Sequence, residues 1–219
     1  GRSGYVCRDG FGYSVFEHYE AGIASELSTY VAMDAPVKFA VIKLRNHSMR
    51  SRSLSLTGYW ELVLGEWRHA NLMHIVTETD PHSGALFARN AYGRECANRI
   101  VFVQVSELER TLSGNRKEFI GRNGSLTSPA ALRRKRLSGR AGAGLDPCAA
   151  LQTRIELTEG QEREVIAARV RGVRLEEAGL FVPAQPKMVP ARIKAFLKTR
   201  ARVRLQDASN RYAAALGRS

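Results

Sequence analysis

From Ser53 to Leu64 the chain alternates without a break. Leu54, Leu56, Gly58, Trp60, Leu62 and Leu64 fall on one side of an extended backbone, and Ser53, Ser55, Thr57, Tyr59 and Glu61 on the other. Successive strand side chains point to opposite faces, so this period of two predicts a half-buried antiparallel strand of about 12 residues. A strand that long implies a large sheet. Trp60 lies on the apolar side, which predicts core packing rather than a sugar-stacking platform.

Strand patterns recur along the chain. Residues 12–17 read as a strand entering a loop, Glu17-His18-Tyr19-Glu20-Ala21-Gly22, with a second strand over 25–31. Residues 37–46 are apolar on both faces in their middle, as in a strand buried between layers. Residues 72–79 read as a strand that reverses at Asp80-Pro81-His82-Ser83-Gly84 into 85–90. A short apolar strand follows at 100–105, then a connecting turn or short helix at 106–113. Residues 149–157 alternate again, and Glu159-Gly160 turns them into 162–168, which predicts a closing hairpin.

Between the last two groups runs the loop-rich stretch 119–153, FIGRNGSLTSPAAL, a basic insert RRKR, then LSGRAGAGLDPCAALQT. Its glycines reach positive φ freely and its prolines remove backbone donors, so turns dominate. Loops held on a rigid scaffold commonly carry function. Arg122 offers a fork of donors, and Asn123 both a donor and an acceptor, for hydroxyls or phosphate; either could equally satisfy carbonyls of its own loop. The acid, imidazole and ring of Glu17, His18 and Tyr19 suit sugar hydroxyls and the apolar face of a sugar, or equally a solvated turn.

Other chemistries find little support. Cys7, Cys96 and Cys148 are an odd, widely spaced set, which predicts reduced structural thiols in a cytoplasmic setting. His69, His74 and His82 place no pair on one helical face, so no metal is expected. Asp80 and Asp146 sit beside prolines, where such side chains bond local backbone. The run GRAGAG at 139–144 is not the G-x-G-x-x-G of a nucleotide loop, and no cofactor is expected. No run of 18 apolar residues appears, and GRSGYVCRDG has no apolar signal core.

The net charge of +13 points toward polyanions. Residues 167–219 hold 12 Lys and Arg against 3 Asp and Glu, leaving 22 against 18 in residues 1–166. The excess therefore belongs to the tail, and nucleic acid is not expected to be the partner of the β-rich part.

Four ordered segments carry a resemblance: GYSVFEHYEAGIASEL at 12–27, APVKFAVIKLRN at 35–46, TETDPHSGALFARN at 77–90, and GRNGSL with LSGRAGAGLDPCAALQ in the loop-rich stretch. Over roughly residues 4–166 the chain resembles the non-catalytic β-domain that begins the phosphorylase-like region of cyclic β-1,2-glucan synthases, glycoside hydrolase family 94. The resemblance implies an all-β fold, a large antiparallel two-sheet supersandwich of the galactose mutarotase-like kind. It also implies an enzyme whose acid and phosphate-binding groups lie in a downstream (α/α) barrel, which residues 167–219 are too few to form. The implied partners are that barrel or a partner subunit, a second copy, and a weakly bound β-glucan or glucosyl substrate. The domain would support the barrel and lend it a loop, with Arg122 and Asn123 the first candidates and Glu17 and His18 next.

Beyond Ile166 the resemblance stops. The expected organisation is a sandwich over 1–168, a linker over 169–190 broken by Pro183, Pro186 and Pro190, and a basic amphipathic helix over 191–219. That helix reads as a surface helix, as a membrane-surface or nucleic-acid binder, or as the product of a shifted reading frame. A free-standing carbohydrate-binding module is a further alternative, with Tyr13, Tyr19 or Tyr92 as its platform.

Overall fold

A computed structural model describes residues 4–32, 37–81, 83–90, 92 and 99–174. Eleven strands form two antiparallel sheets among these residues. The larger has eight strands: β1 (Tyr5–Gly10), β2 (Tyr13–Glu20), β3 (Ile23–Val31), β4 (Val37–Asn46), β11 (Glu162–Arg174), β8 (Arg99–Val105), β7 (Leu86–Asn90) and β6 (Ile75–Thr79), in that spatial order. The smaller has three: β5 (Arg52–Glu61), β10 (Pro147–Leu157) and β9 (Arg110–Asn115). Two short helices, α1 (Arg68–Asn71) and α2 (Arg116–Ile120), and two 3-10 turns, Leu72–His74 and Ala130–Arg133, complete the described chain.

The strands follow local chemistry. β2 and β3 are joined by the two-residue turn Ala21-Gly22, both at positive φ, which matches the twist of the flanking strands. A side chain at Gly22 would also come within 2.9 Å of Ser48 Cβ. Asp80 closes the reversal between β6 and β7: its carboxylate accepts from the Ser83 amide at 2.7 Å and from the Ser83 hydroxyl, and its carbonyl accepts from Gly84.

The interior lies between the sheets. Ile75, Leu86, Val101 and Val103 of the large sheet meet Leu112, Ala149 and Leu151 of the small one, with Trp60 packed alongside as its position on the apolar face predicts. Leu44, Val105 and Val165 meet Ile155 and Leu157 in the same way. The outward face of β10 is covered as well, because Cys148 and Ala150 pack under Phe119 and Ile120 of α2, Ala131 and Leu137. β4 is buried on both faces, through Phe39 and Val41 on one and Leu44 and Asn46 on the other, as its sequence predicts.

Several expectations change. The strand at 54–64 ends at Glu61 and forms an edge of the small sheet; Leu62 and Leu64 are buried beyond it. Residues 17–20 are strand, not loop. Residues 106–113 do not form a helix: Arg110–Asn115 is strand β9, polar in sequence but held in register on β10. β6 begins only at Ile75, after a 3-10 turn. The reversal at Glu159-Gly160 is not a hairpin, since β10 pairs with β5 and β9 while β11 pairs with β4 and β8. β11 also runs beyond residue 168 to Arg174. The linker from residue 175, the basic helix, Cys96 and His82 lie outside the described residues.

Asn46, fully buried at the end of β4, ties the two sheets at this crossing. Its Nδ2 donates to the carbonyls of Arg50 at 2.8 Å, Leu157 at 3.1 Å and Thr158 at 3.1 Å, and its Oδ1 accepts from the Ser48 amide at 2.9 Å. Truncation strands the buried Leu157 carbonyl and the partly buried groups around it. Asn46→Ala is expected to cost about 3 kcal/mol, seen as a lower urea midpoint with an unchanged slope.

Candidate functional site

Ile42 and Leu44 pack into the core, so Lys43 faces outward, together with its register partners Glu26, Glu17 and Val6. A shallow depression of about 490 Å³ lies on this outer face, lined by Glu17, Tyr19, Glu26, Lys43, Arg45 and Glu162 among others. Glu17 is ion-paired with Arg8, and Glu26 with Lys43 at 3.3 Å. Tyr19 is 55% exposed and meets His47 edge-on at 6.0 Å.

His18 projects from the opposite face of β2 because it is the next residue in a pleated strand. Its ring stacks on Tyr5 at 4.1 Å, and its Nε2 lies 3.2 Å from a Glu20 carboxylate oxygen. His18 nonetheless borders the same depression as Glu17, so the two candidates lie at one hollow, carried by a strand and not by a loop.

Arg122 and Asn123 stand elsewhere, on the loop after α2. Asn115 caps that helix, its Oδ1 accepting from the Lys117 amide at 3.1 Å, and Gly121 ends it at a φ of 95°. Phe119 stacks on Tyr59 at 4.5 Å, and Ile120 is buried beside it. These contacts fix the base of the loop on the outer face of the small sheet. The tip is exposed, and among the described residues neither the Arg122 nor the Asn123 side chain makes a hydrogen bond or ion pair. A side chain at Gly124 would fall 2.0 Å from the Ile120 carbonyl oxygen, so this tight loop requires glycine. Glu17 and Arg122 thus occupy opposite outer faces, and the four candidates do not form one site.

Of the candidate platforms, Tyr92 is 77% exposed and stacks on His74 at 4.3 Å, while the Tyr13 ring lies close over Gly10.

Around α2 the fold assembles two charge networks absent from the sequence expectations. Asp146 accepts from Arg68 and lies 3.6 Å from Arg116, whose Nε donates to Glu61 at 3.0 Å. Asp146 is thus held by distant cations, not by a local turn. Glu118 accepts from Ser113 at 3.1 Å, Ser138 at 2.6 Å and Arg134 at 2.8 Å. Both networks join residues far apart in the chain, so no local signal marks them. The glycine-rich run is structural too. Gly114 donates to the Arg140 carbonyl at 2.7 Å, and Gly142 to Thr77 Oγ1 at 3.0 Å, which seals β9 against β6. Among the described residues no group of three or more His, Cys, Asp or Glu is placed to hold a metal, and no helix is long and apolar enough to cross a membrane.

Two antiparallel sheets of unequal size packed face to face define a supersandwich domain. The chain belongs to the supersandwich domain family of glycosyl hydrolase 94, whose family model matches residues 1–180. The match passes residue 166, where the sequence resemblance was expected to stop, and β11 is continuous across the same point.

The chain is 32% identical over 162 residues to the cyclic β-(1,2)-glucan synthase NdvB of Rhizobium meliloti, covering 74% of this chain and 6% of that protein. It is 30% identical over 152 residues to a cellobionic acid phosphorylase of Neurospora crassa, covering 65% of this chain and 18% of that one. Among solved structures, the heparan sulfate lyase HepC of Pedobacter heparinus aligns with a TM-score of 0.42 at 6% identity, over 82% of this chain and 22% of that one.

Burial pushes the Cys148 thiol up to about 12, with Asp146 adding to the shift, whereas Cys7 is exposed. A thiol reagent at neutral pH is expected to label Cys7 in the native protein and Cys148 only after denaturation, read by peptide mass spectrometry. The raised value favours the folded state fully below the thiol's ordinary 9.0. That contribution is lost as pH rises from there toward about 12.

Proposed function

We propose that this chain is a non-catalytic, carbohydrate-associated domain of a glucan synthase or glycoside phosphorylase, acting in the cytoplasm. It supports a catalytic barrel located elsewhere in the polypeptide or on a partner subunit, and lends the loop at 121–128 to that barrel's sugar site. The loop carries the reading: its base is fixed by Phe119 and Ile120, while the Arg122 and Asn123 donors are left unspent at its tip. Such pre-positioned donors suit hydroxyls or phosphate presented by another surface.

Inverting phosphorolysis needs a carboxylic acid at the glycosidic oxygen, with phosphate on the opposite face of the sugar. In this domain Glu17, Glu118 and Asp146 are each engaged in ion pairs, with Arg8, Arg134 and Arg68. The barrel supplies the reacting groups, and the domain supplies position.

A second reading rests on the depression beside Glu17. There Tyr19, three carboxylates and two cations line an open face of the large sheet, as in a free-standing carbohydrate-binding module.

Calorimetric titration with linear β-1,2-gluco-oligosaccharides in phosphate buffer, with an assay for released sugar phosphate, tests both readings. The expected result is weak binding, with a Kd on the order of 1 mM, and no turnover. Arg122→Ala with Asn123→Ala should weaken it about tenfold, the loss of one or two charged or polar hydrogen bonds. A loss confined to Glu17→Gln or Tyr19→Ala would move the site to the large sheet. Phosphorolysis would overturn the non-catalytic reading.

A further inference from the structure

Residues 119–145 contain six Lys and Arg and no Asp or Glu. The fold presents four of the six on one arch. Its two feet, Ala131 and Leu137, are buried in the cluster beneath α2, and the Leu137 amide donates to Thr111 Oγ1 at 3.0 Å. Residues 132–136 between them are all exposed. Arg134 is drawn back to Glu118, but among the described residues Arg133, Lys135 and Arg136 have no acceptor.

Aliphatic groups stand out beside these charges. Leu132 in the arch is 56% exposed, and Leu126 on the neighbouring loop is 53% exposed. The loops share a base, since a side chain at Gly121 would lie 3.0 Å from Ala130 Cβ.

We propose that this arch docks on an anionic phospholipid bilayer, with Arg133, Lys135 and Arg136 taking headgroup phosphates and Leu132 entering the headgroup boundary. A guanidinium fork matches phosphate oxygens, and a field of mobile headgroups can satisfy long side chains that share no fixed geometry. Protruding leucines gain from a bilayer and gain nothing from a soluble polyanion. Nucleic acid would be better served by rings for base stacking, and the exposed large apolar residues of these two loops are leucines. A second copy meeting the same face would set like charges against one another.

The proposal does not rest on the sugar reading, because Arg122 and Asn123 stay unchanged in its test. The full chain is floated with vesicles of phosphatidylcholine alone or of phosphatidylcholine with phosphatidylglycerol. Binding only to the anionic vesicles is expected, weakening as salt rises from about 0.1 to about 1 M, where screening shortens from about 10 to about 3 Å. Replacing Arg133, Lys135 and Arg136 together by Ser should reduce it roughly a hundredfold, about fivefold per cation. Leu132→Ser should weaken the salt-resistant part. All four side chains are exposed, so unchanged thermal melting separates lost binding from lost folding.

Vesicle binding undiminished in the triple variant would place membrane contact elsewhere in the chain and overturn the proposal. So would retention of a single-stranded oligonucleotide that is lost in the same variant while vesicles never bind.

Discussion

Everything on the small-sheet side depends on β10 being dry on both faces. Its inward residues Ala149, Leu151, Ile155 and Leu157 pack against the large sheet, and its outward Cys148 and Ala150 need a cover of their own. α2, the Ala130–Arg133 turn and Leu137 beyond it supply that cover with four apolar residues. Once they are laid over β10, the segments on either side must leave the surface and return to it, and the exposed loops at 121–128 and 132–136 are those excursions. Their conformations follow from packing beneath them, and they carry polar and charged residues together with the exposed Leu126 and Leu132.

The sheets also have to be closed where the chain passes between them, since buried backbone groups without partners are costly. Three buried polar side chains perform this task. Asn46 gathers the carbonyls of the β10–β11 crossing, and Asn90 donates to the Leu64 carbonyl at 2.7 Å beyond the end of β5. Thr77 meets the backbone of Gly142. Ser28, Ser113, Asn115, Gln152 and Thr153 are buried as well, but Asn46, Asn90 and Thr77 are the ones set at these seams.

Local periodicity made much of the fold legible. The alternation around Leu54–Trp60, the two-sided burial of β4 and the turn at Asp80 follow from side-chain order alone. β9 was not legible, because RTLSGN has one large apolar residue and is extended only through its neighbour β10. Nor could alternation tell a hairpin from a crossing between sheets at Glu159-Gly160: in both cases two amphipathic strands turn their apolar sides inward, and only pairing partners distinguish them. For the candidate site the glycines correctly marked an exposed loop at Arg122 and Asn123. Glu17 and His18 border one depression, but in a strand, not the loop expected, so their side chains leave the backbone on opposite faces.

The position of β11 has a consequence for biosynthesis. It is the last of the described strands to be made, yet it lies in the middle of the large sheet, between β4 and β8. Until it leaves the ribosome, β1–β4 and β6–β8 are two half-sheets with open inner edges and no shared hydrogen bond. Completion is therefore a late insertion that joins contacts distant in sequence, which makes it slow and leaves unpaired edges exposed while it waits. A nascent chain stalled before Arg174 would be all edge and little sandwich, a natural target for chaperones that hold extended segments.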